Sequence, residues 1–259
     1  MELITVIGVV MGILAVFGGA LLEGIHMSSI MQGTAAIIVF GGTFGAVFVS
    51  FPQQDIKRAL GLIGVIFKKV DNDPREVIEE VIKIATVARK EGVLAIEGMR
   101  DSIQNPLFKK SIKFVIDGFE PNTVKEIMQT EIDLVFSEEE NAGKVWEGAG
   151  GYSPTIGIIG AVLGLIHVMS GLKDPNADLG SGIAVAFVAT VYGVGGANLI
   201  FIPFGTKLKR KAHMRAEIKE VVKIGVVGIQ EGLNPAFLRE KMEVYVEEHL
   251  KPKEGEKTA

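Results

Sequence analysis

The sequence predicts an all-α integral membrane protein. Four transmembrane helices are expected, with a helical cytoplasmic domain between the second and third and a helical cytoplasmic tail. Three observations predict this. Four apolar runs, residues 3–22, 34–51, 152–172 and 179–206, contain no Asp, Glu, Lys or Arg, and about 20 such residues cross a hydrocarbon core of roughly 30 Å as a helix. The chain of 259 residues is 48% hydrophobic with a positive mean hydropathy, and soluble domains rarely carry charge-free runs this long. Of 27 Lys and Arg residues, 14 lie in 52–147, 12 lie after Thr206 and only Lys173 lies between the last two runs. Basic residues stay on the cytoplasmic side, which puts the large loop and both termini there and requires an even number of spans.

The elements follow in order. Leu3 to Leu22 lacks a basic leader and a small-residue cleavage site, so it reads as a retained anchor. Glu23 to Gln32 is a polar turn containing His26, and Thr34 to Phe51 is the second span. Both spans carry GxxxG spacing, at Gly8 and Gly12 and at Gly41 and Gly45. Residues 52–147 read as amphipathic helices. Asp73-Pro74 offers an N-cap followed by a proline at the first helical position, and Val77, Ile78, Val81, Ile82 and Ala85 recur at helical spacing. Asn105-Pro106 and Glu120-Pro121-Asn122 mark further breaks. Residues Val87 to Glu97 are expected on one helical stretch bearing Arg89, Lys90, Glu91 and Glu97, with Arg100 beyond. The loop Lys173 to Asp178 makes Tyr152–Leu172 and Leu179–Thr206 a tight hairpin. Lys207 to Ala259 reads as one long helix, a second starting near Asn234-Pro235, and a disordered end. The expected segments are thus 1–51, 52–147, 148–206 and 207–259.

The chemistry is defined by what the residues exclude. There is no cysteine, so no disulfide and no thiolate metal site. A net charge of −4 gives no reason to expect nucleic acid as a partner. P-loop, HExxH and nucleophile-elbow motifs are absent, so neither catalysis nor a cofactor or metal is expected. Ion-translocating proteins place a carboxylate at membrane depth, yet none of the four runs has one. If this chain moves ions, a second polypeptide must supply the acid.

Within the runs, His167 reads as a bundle histidine near the outer end of the third span or as a proton-relay group. Gly182, Ala186, Thr190, Gly193 and Ala197 form a small-residue stripe on the fourth. It serves either close packing within the chain or a smooth wall for a partner helix, with the Thr190 hydroxyl available to a cation. Pro154, Ile158, Ala161 and Leu165 share a face of the third span. Pro154 and Pro203 fall at the same end of neighbouring spans, and each lacks an N–H, which suits a hinge. Arg89, Lys90 and Glu97 form a solvated face or steer a charged protein partner.

The segments ARKEGVLAIE (88–97), SPTIGIIGAVLGLI (153–166) and AVAFVATVYGVGGANLIFIP (184–203) resemble the MotA/PomA stator subunits of the bacterial flagellar motor. The resemblance implies an inner-membrane protein that forms a pentamer around a MotB/PomB dimer. That partner carries the ion-binding aspartate, and ion flow drives the rotor protein FliG. It implies rotor contact through Arg89, Lys90 and Glu97. It also implies an ion pathway and partner-helix interface at Thr190, Ala161, Pro154, Pro203, Gly193 and Ala186. Sodium-type members have a threonine where this chain has Ala161, so H+ is the expected coupling cation. Na+ is the alternative, with Thr190, the partner's aspartate and carbonyls freed near the prolines as ligands. The ExbB/TolQ proteins are similar ion-driven energisers of outer-membrane processes, but their pattern has three spans. A stand-alone transporter would need polar binding residues within its own spans, and this chain has few.

Overall fold

A computed structural model describes residues 2–69, 73–172 and 179–249; the expected outer loop 173–178 and disordered end 250–259 lie outside the described residues. The described chain is helical throughout. Its principal helices are α1 (Leu3–Leu22), α2 (Gly33–Ser50), α3 (Gln53–Gly61), α4 (Pro74–Glu91), α5 (Pro106–Ile116), α6 (Pro121–Gly171), α7 (Leu179–Gln230) and α8 (Pro235–His249). Single helical turns at Met27–Ile30 and Ile63–Ile66 and a 3₁₀ segment, Val93–Ser102, complete the path.

The punctuation in the sequence acts through side-chain caps. Asp73 accepts from the Arg75 amide at 2.9 Å and starts α4. Asn105 accepts from the Phe108 amide at 3.0 Å and starts α5, and Asn234 accepts from the Ala236 amide at 2.9 Å and starts α8. Each satisfies an amide that an isolated helix end leaves bare, and each precedes a proline that needs none.

Three expectations change. The third span is the last part of a 51-residue helix, α6, that starts at Pro121 and runs through Pro154. The charged stretch before residue 148 and the apolar run after it share one backbone. The fourth span likewise continues through Pro203 to Gln230. Just before that proline, Ala197–Phe201 is wound as a π-helix, as is Ile37–Gly41 in α2. A π-turn absorbs a residue out of register, a common companion of a proline kink. Finally, Val87 to Glu97 is not one helix. Gly92 sits at φ 88°, ψ 163°, a conformation open essentially to glycine, and ends α4. Glu97 and Arg100 then lie on the 3₁₀ segment.

The chain divides into two compact units, 1–69 with 138–210 and 70–137 with 211–259. The second is built on large aliphatic and aromatic side chains. Val81, Ile84, Ile96, Phe108, Ile112, Met128, Val222 and Leu238 are among its buried residues, contributed by α4, the 3₁₀ segment, α5, α6, α7 and α8. Arg239 of α8 clamps Glu79 of α4 through both guanidinium nitrogens, at 2.5 and 2.7 Å. The first unit holds the four apolar helices. Its buried side chains form a cluster of small residues, Ala35, Val39, Val188 and Ala189, and a second cluster that includes Val47, Ala59, Trp146, Phe201 and Leu208.

Candidate functional site

The third and fourth spans meet along a seam of small residues. The buried Ser153 hydroxyl donates to the Gly193 carbonyl at 3.0 Å and ties the two backbones together. A Cβ on Gly157 would meet the Ala189 carbonyl oxygen at 2.9 Å, and one on Gly164 would meet the Ala186 nitrogen and the Gly182 oxygen at 2.8 Å. Backbone against backbone leaves no room for any side chain, so these positions require glycine. Close approach of this kind is how helices associate where lipid removes the hydrophobic drive.

Helix α2 closes one side of the seam. Ala35 and Val39 pack on Val188 and Ala189, Phe40 stacks on Tyr192 with centroids 5.9 Å apart, and Gly42 lies against Ile156. The Tyr192 hydroxyl donates to the Ile30 carbonyl at 2.6 Å and accepts from the Gln32 amide at 3.3 Å. Helical spacing of about 100° per residue then locates the other side. On α6 the seam lies at Ser153, Gly157, Gly160 and Gly164; the flank away from α2 carries Pro154 and Ala161. On α7 the seam lies at Gly182, Ala186, Ala189 and Gly193, and the flank away from α2 carries Thr190. A Cβ on Gly160 would touch that of Ala189 at 2.7 Å, so in this antiparallel pair the residues next in sequence, Ala161 and Thr190, lie within about 3 Å of one depth. The hairpin therefore has a side covered by α2 and an open side where Ala161 and Thr190 lie close in depth and half-buried. Ile158 and Leu165 are exposed on the same side.

Thr190 Oγ1 donates to the Ala186 carbonyl of its own helix at 3.2 Å, which leaves its lone pairs for another group. Gly193 and Ala186, expected to face a partner helix, are instead buried in the seam within the chain. Their place is set by the backbone approach of α6, so the close-packing alternative applies to them. Pro154 lies on the open flank, half-buried. Pro203 is exposed, and Ile202 beside it packs on Gly150, which sets both prolines at the same end of the seam. His167 is exposed near Gly182, about 9 Å along the helix from Ala161 and a third of a turn round it. The fold does not bring it to Thr190. Among the described residues no group of three or more His, Asp or Glu converges to hold a metal.

Arg89, Lys90 and Glu97 are all exposed, and among the described residues none of them makes an ion pair. Buried Ala88 and Ile96 anchor the backbone on either side of Gly92. Two polar anchors were missed in the sequence, Ser153 and Tyr192. The available signal was a hydroxyl within a dry apolar run, which must find an acceptor.

Comparison with known proteins covers most of the chain. Residues 99–221 match the MotA/TolQ/ExbB proton channel family, and residues 6–92 match the N-terminal region of Motility protein A. Motility protein A of Bacillus subtilis is 32% identical over 95% of this chain and 91% of its own length. Motility protein A of Helicobacter pylori is 33% identical over 95% of each. The chain belongs to the MotA/PomA family of flagellar stator subunits. The solved structure of Campylobacter jejuni MotAB (C. jejuni) superposes with a TM-score of 0.89 at 28% identity, over 100% of this chain and 99% of that one. MotA-family relatives are motor and channel proteins rather than enzymes, and the four apolar helices fit a membrane-embedded stator protein. The N-terminal match favours the flagellar branch over the ExbB/TolQ branch.

Proposed function

We propose that this MotA-family chain spans the bacterial inner membrane four times, with residues 52–147, the tail and both termini in the cytoplasm, and that with a MotB-type partner it converts ion flow into torque. The observation that carries this reading is the open side of the hairpin. Ala161 and Thr190 lie close in depth there, in spans that own no acid. The solved relatives are MotAB assemblies, which supports a MotB-type partner here. That partner's transmembrane helix lies along Pro154, Ala161 and Thr190 and brings the missing aspartate, and five copies of the chain surround it.

The coupling cation is H+. Protonation neutralises an acid that costs several kcal/mol to hold charged and unpaired at depth. The neutral helix then moves along a face whose only hydroxyl is that of Thr190. One charge crossing 100 mV supplies about 2.3 kcal/mol, so many protons drive each revolution. Arg89, Lys90 and Glu97 pass the motion to the rotor protein FliG, with Gly92 setting the angle between the cations and the acid. Pro154 and Pro203 serve as the hinge between membrane and cytoplasm.

The test is bead rotation in a stator-null strain complemented with this chain and its partner. Thr190→Val is expected to cut torque while membrane insertion and partner co-purification persist. Collapsing the proton gradient is expected to stop rotation, and collapsing the sodium gradient to leave it. Full torque in the Thr190 variant, or arrest only on sodium collapse, overturns the proton pathway.

A further inference from the structure

An apolar cavity of about 200 Å³ opens beside the end of α2, under the short helix α3. Phe44, Val47 and Phe48 of α2, Ile56 and Leu60 of α3, and Trp146 of α6 form its walls. Trp146 commits its one polar group, Nε1–H, to the Ala59 carbonyl at 3.2 Å, and the walls are carbon throughout. The mouth is wide open to the surroundings: Phe48 is 64% and Leu60 55% exposed.

Two further observations say what enters it. Helix α3 starts two residues beyond the last residue of an apolar span and is amphipathic, with Ile56, Ala59 and Leu60 on one side and Gln53, Gln54 and Arg58 exposed elsewhere. Such a helix lies in the headgroup layer with its apolar face in the acyl region. Its basic residues are also divided. Arg58 is tied to Glu138, whereas Lys57, three residues before Leu60 and so beside the mouth, makes no ion pair among the described residues. A carbon-lined slot under an interfacial helix, with a free cation at its rim, matches a phospholipid: acyl chain inside, phosphate outside. The slot is too small for a helix of another protein.

We propose that this cavity is a phospholipid site. One acyl chain fills the space between α2, α3 and Trp146, the lipid phosphate rests on Lys57, and the bound lipid holds α3 against the bundle. The inference needs only that α2 lies in a bilayer and is independent of the coupling ion and the rotor contact.

The stator complex, purified in nanodiscs, is to be loaded with phosphatidylglycerol or phosphatidylcholine carrying a diazirine midway along one chain. Photolabelled peptides are then mapped by mass spectrometry. Labelling at residues 44–60 is expected to exceed that of lipid-exposed α1. Ala59→Phe, which fills the slot and displaces about two methylenes, is expected to lower it about tenfold. Lys57→Gln is expected to abolish the preference for the anionic lipid, and it leaves the packing intact should the filling variant fail to assemble. Labelling at 44–60 equal to α1, or insensitive to Lys57→Gln with both lipids, overturns the proposal. A photocrosslinker replacing Phe48 that joins two copies of the chain also overturns it, with a second copy as the occupant.

Discussion

The seam of the third and fourth spans and the core of the second unit are both buried, yet they are built from opposite materials. The seam is Gly157, Gly160 and Gly164 against Gly182, Ala186, Ala189 and Gly193, where backbones touch. The core is Ile84, Ile96, Phe108, Ile112 and Leu238, where large side chains interlock. Water makes the difference. In the second unit every buried methylene is withdrawn from water and contributes about 0.8 kcal/mol. In lipid that contribution vanishes, and helices gain from close van der Waals approach and from hydrogen bonds such as Ser153 to Gly193. The same chain therefore stores its stability in volume in the core of the second unit and in the absence of volume in the seam.

The contrast breaks most severely at Gly164→Val. Two backbone atoms stand at 2.8 Å from where its Cβ must go, so the helices must separate. The expected outcome is loss of membrane-inserted chain on immunoblots and no co-purifying partner. Gly45→Ala, with nothing within 4 Å, is expected to accumulate normally. Next in size, Phe108→Ala is expected to cost the second unit about 3–5 kcal/mol, read as lost hydrogen-exchange protection in α4 and α5. The reverse substitution logic holds there, because the second unit needs size and the seam forbids it. Ser153→Ala removes the hydrogen bond to the Gly193 carbonyl across the seam and is expected to cost about 1 kcal/mol, measured by thermal unfolding in detergent.

The smallest expected effect is electrostatic. The Arg239 guanidinium bonded to Glu79 holds that carboxyl below its ordinary 4.5. A lowered acid contributes stability above its unfolded value and loses it as pH falls through the folded one. Exchange of α8 amides, corrected for intrinsic rate, is therefore expected to speed up as pH drops below 4.5 in the native chain. In Arg239→Ala that dependence is expected to vanish.

The four apolar helices were readable from composition because long charge-free runs admit few alternatives, and the helix caps because Asp73, Asn105 and Asn234 each stand before a proline. Local winding was not. The π-turns at Ile37–Gly41 and Ala197–Phe201 shift hydrogen-bond register without changing residue type. The continuity of α6 across residue 148 was hidden because a change from charged to apolar residues looks like a boundary when it is only a change of solvent. The seam and the wall were indistinguishable in the sequence, since both call for small residues. Gly193 and Ala186 lie in the seam, and only the contacts with Gly157 and Gly164 separate them from Thr190.

Gly92 carries a lesson for genetics. Its positive-φ backbone sets how the exposed Arg89, Lys90 and Glu97 are presented, yet it bears no charge and a Cβ added there would meet nothing within 4 Å. A screen for paralysed swimmers that scores only ionic residues would pass over it. Strains defective at this codon would keep Arg89, Lys90 and Glu97 and still present them at a different angle.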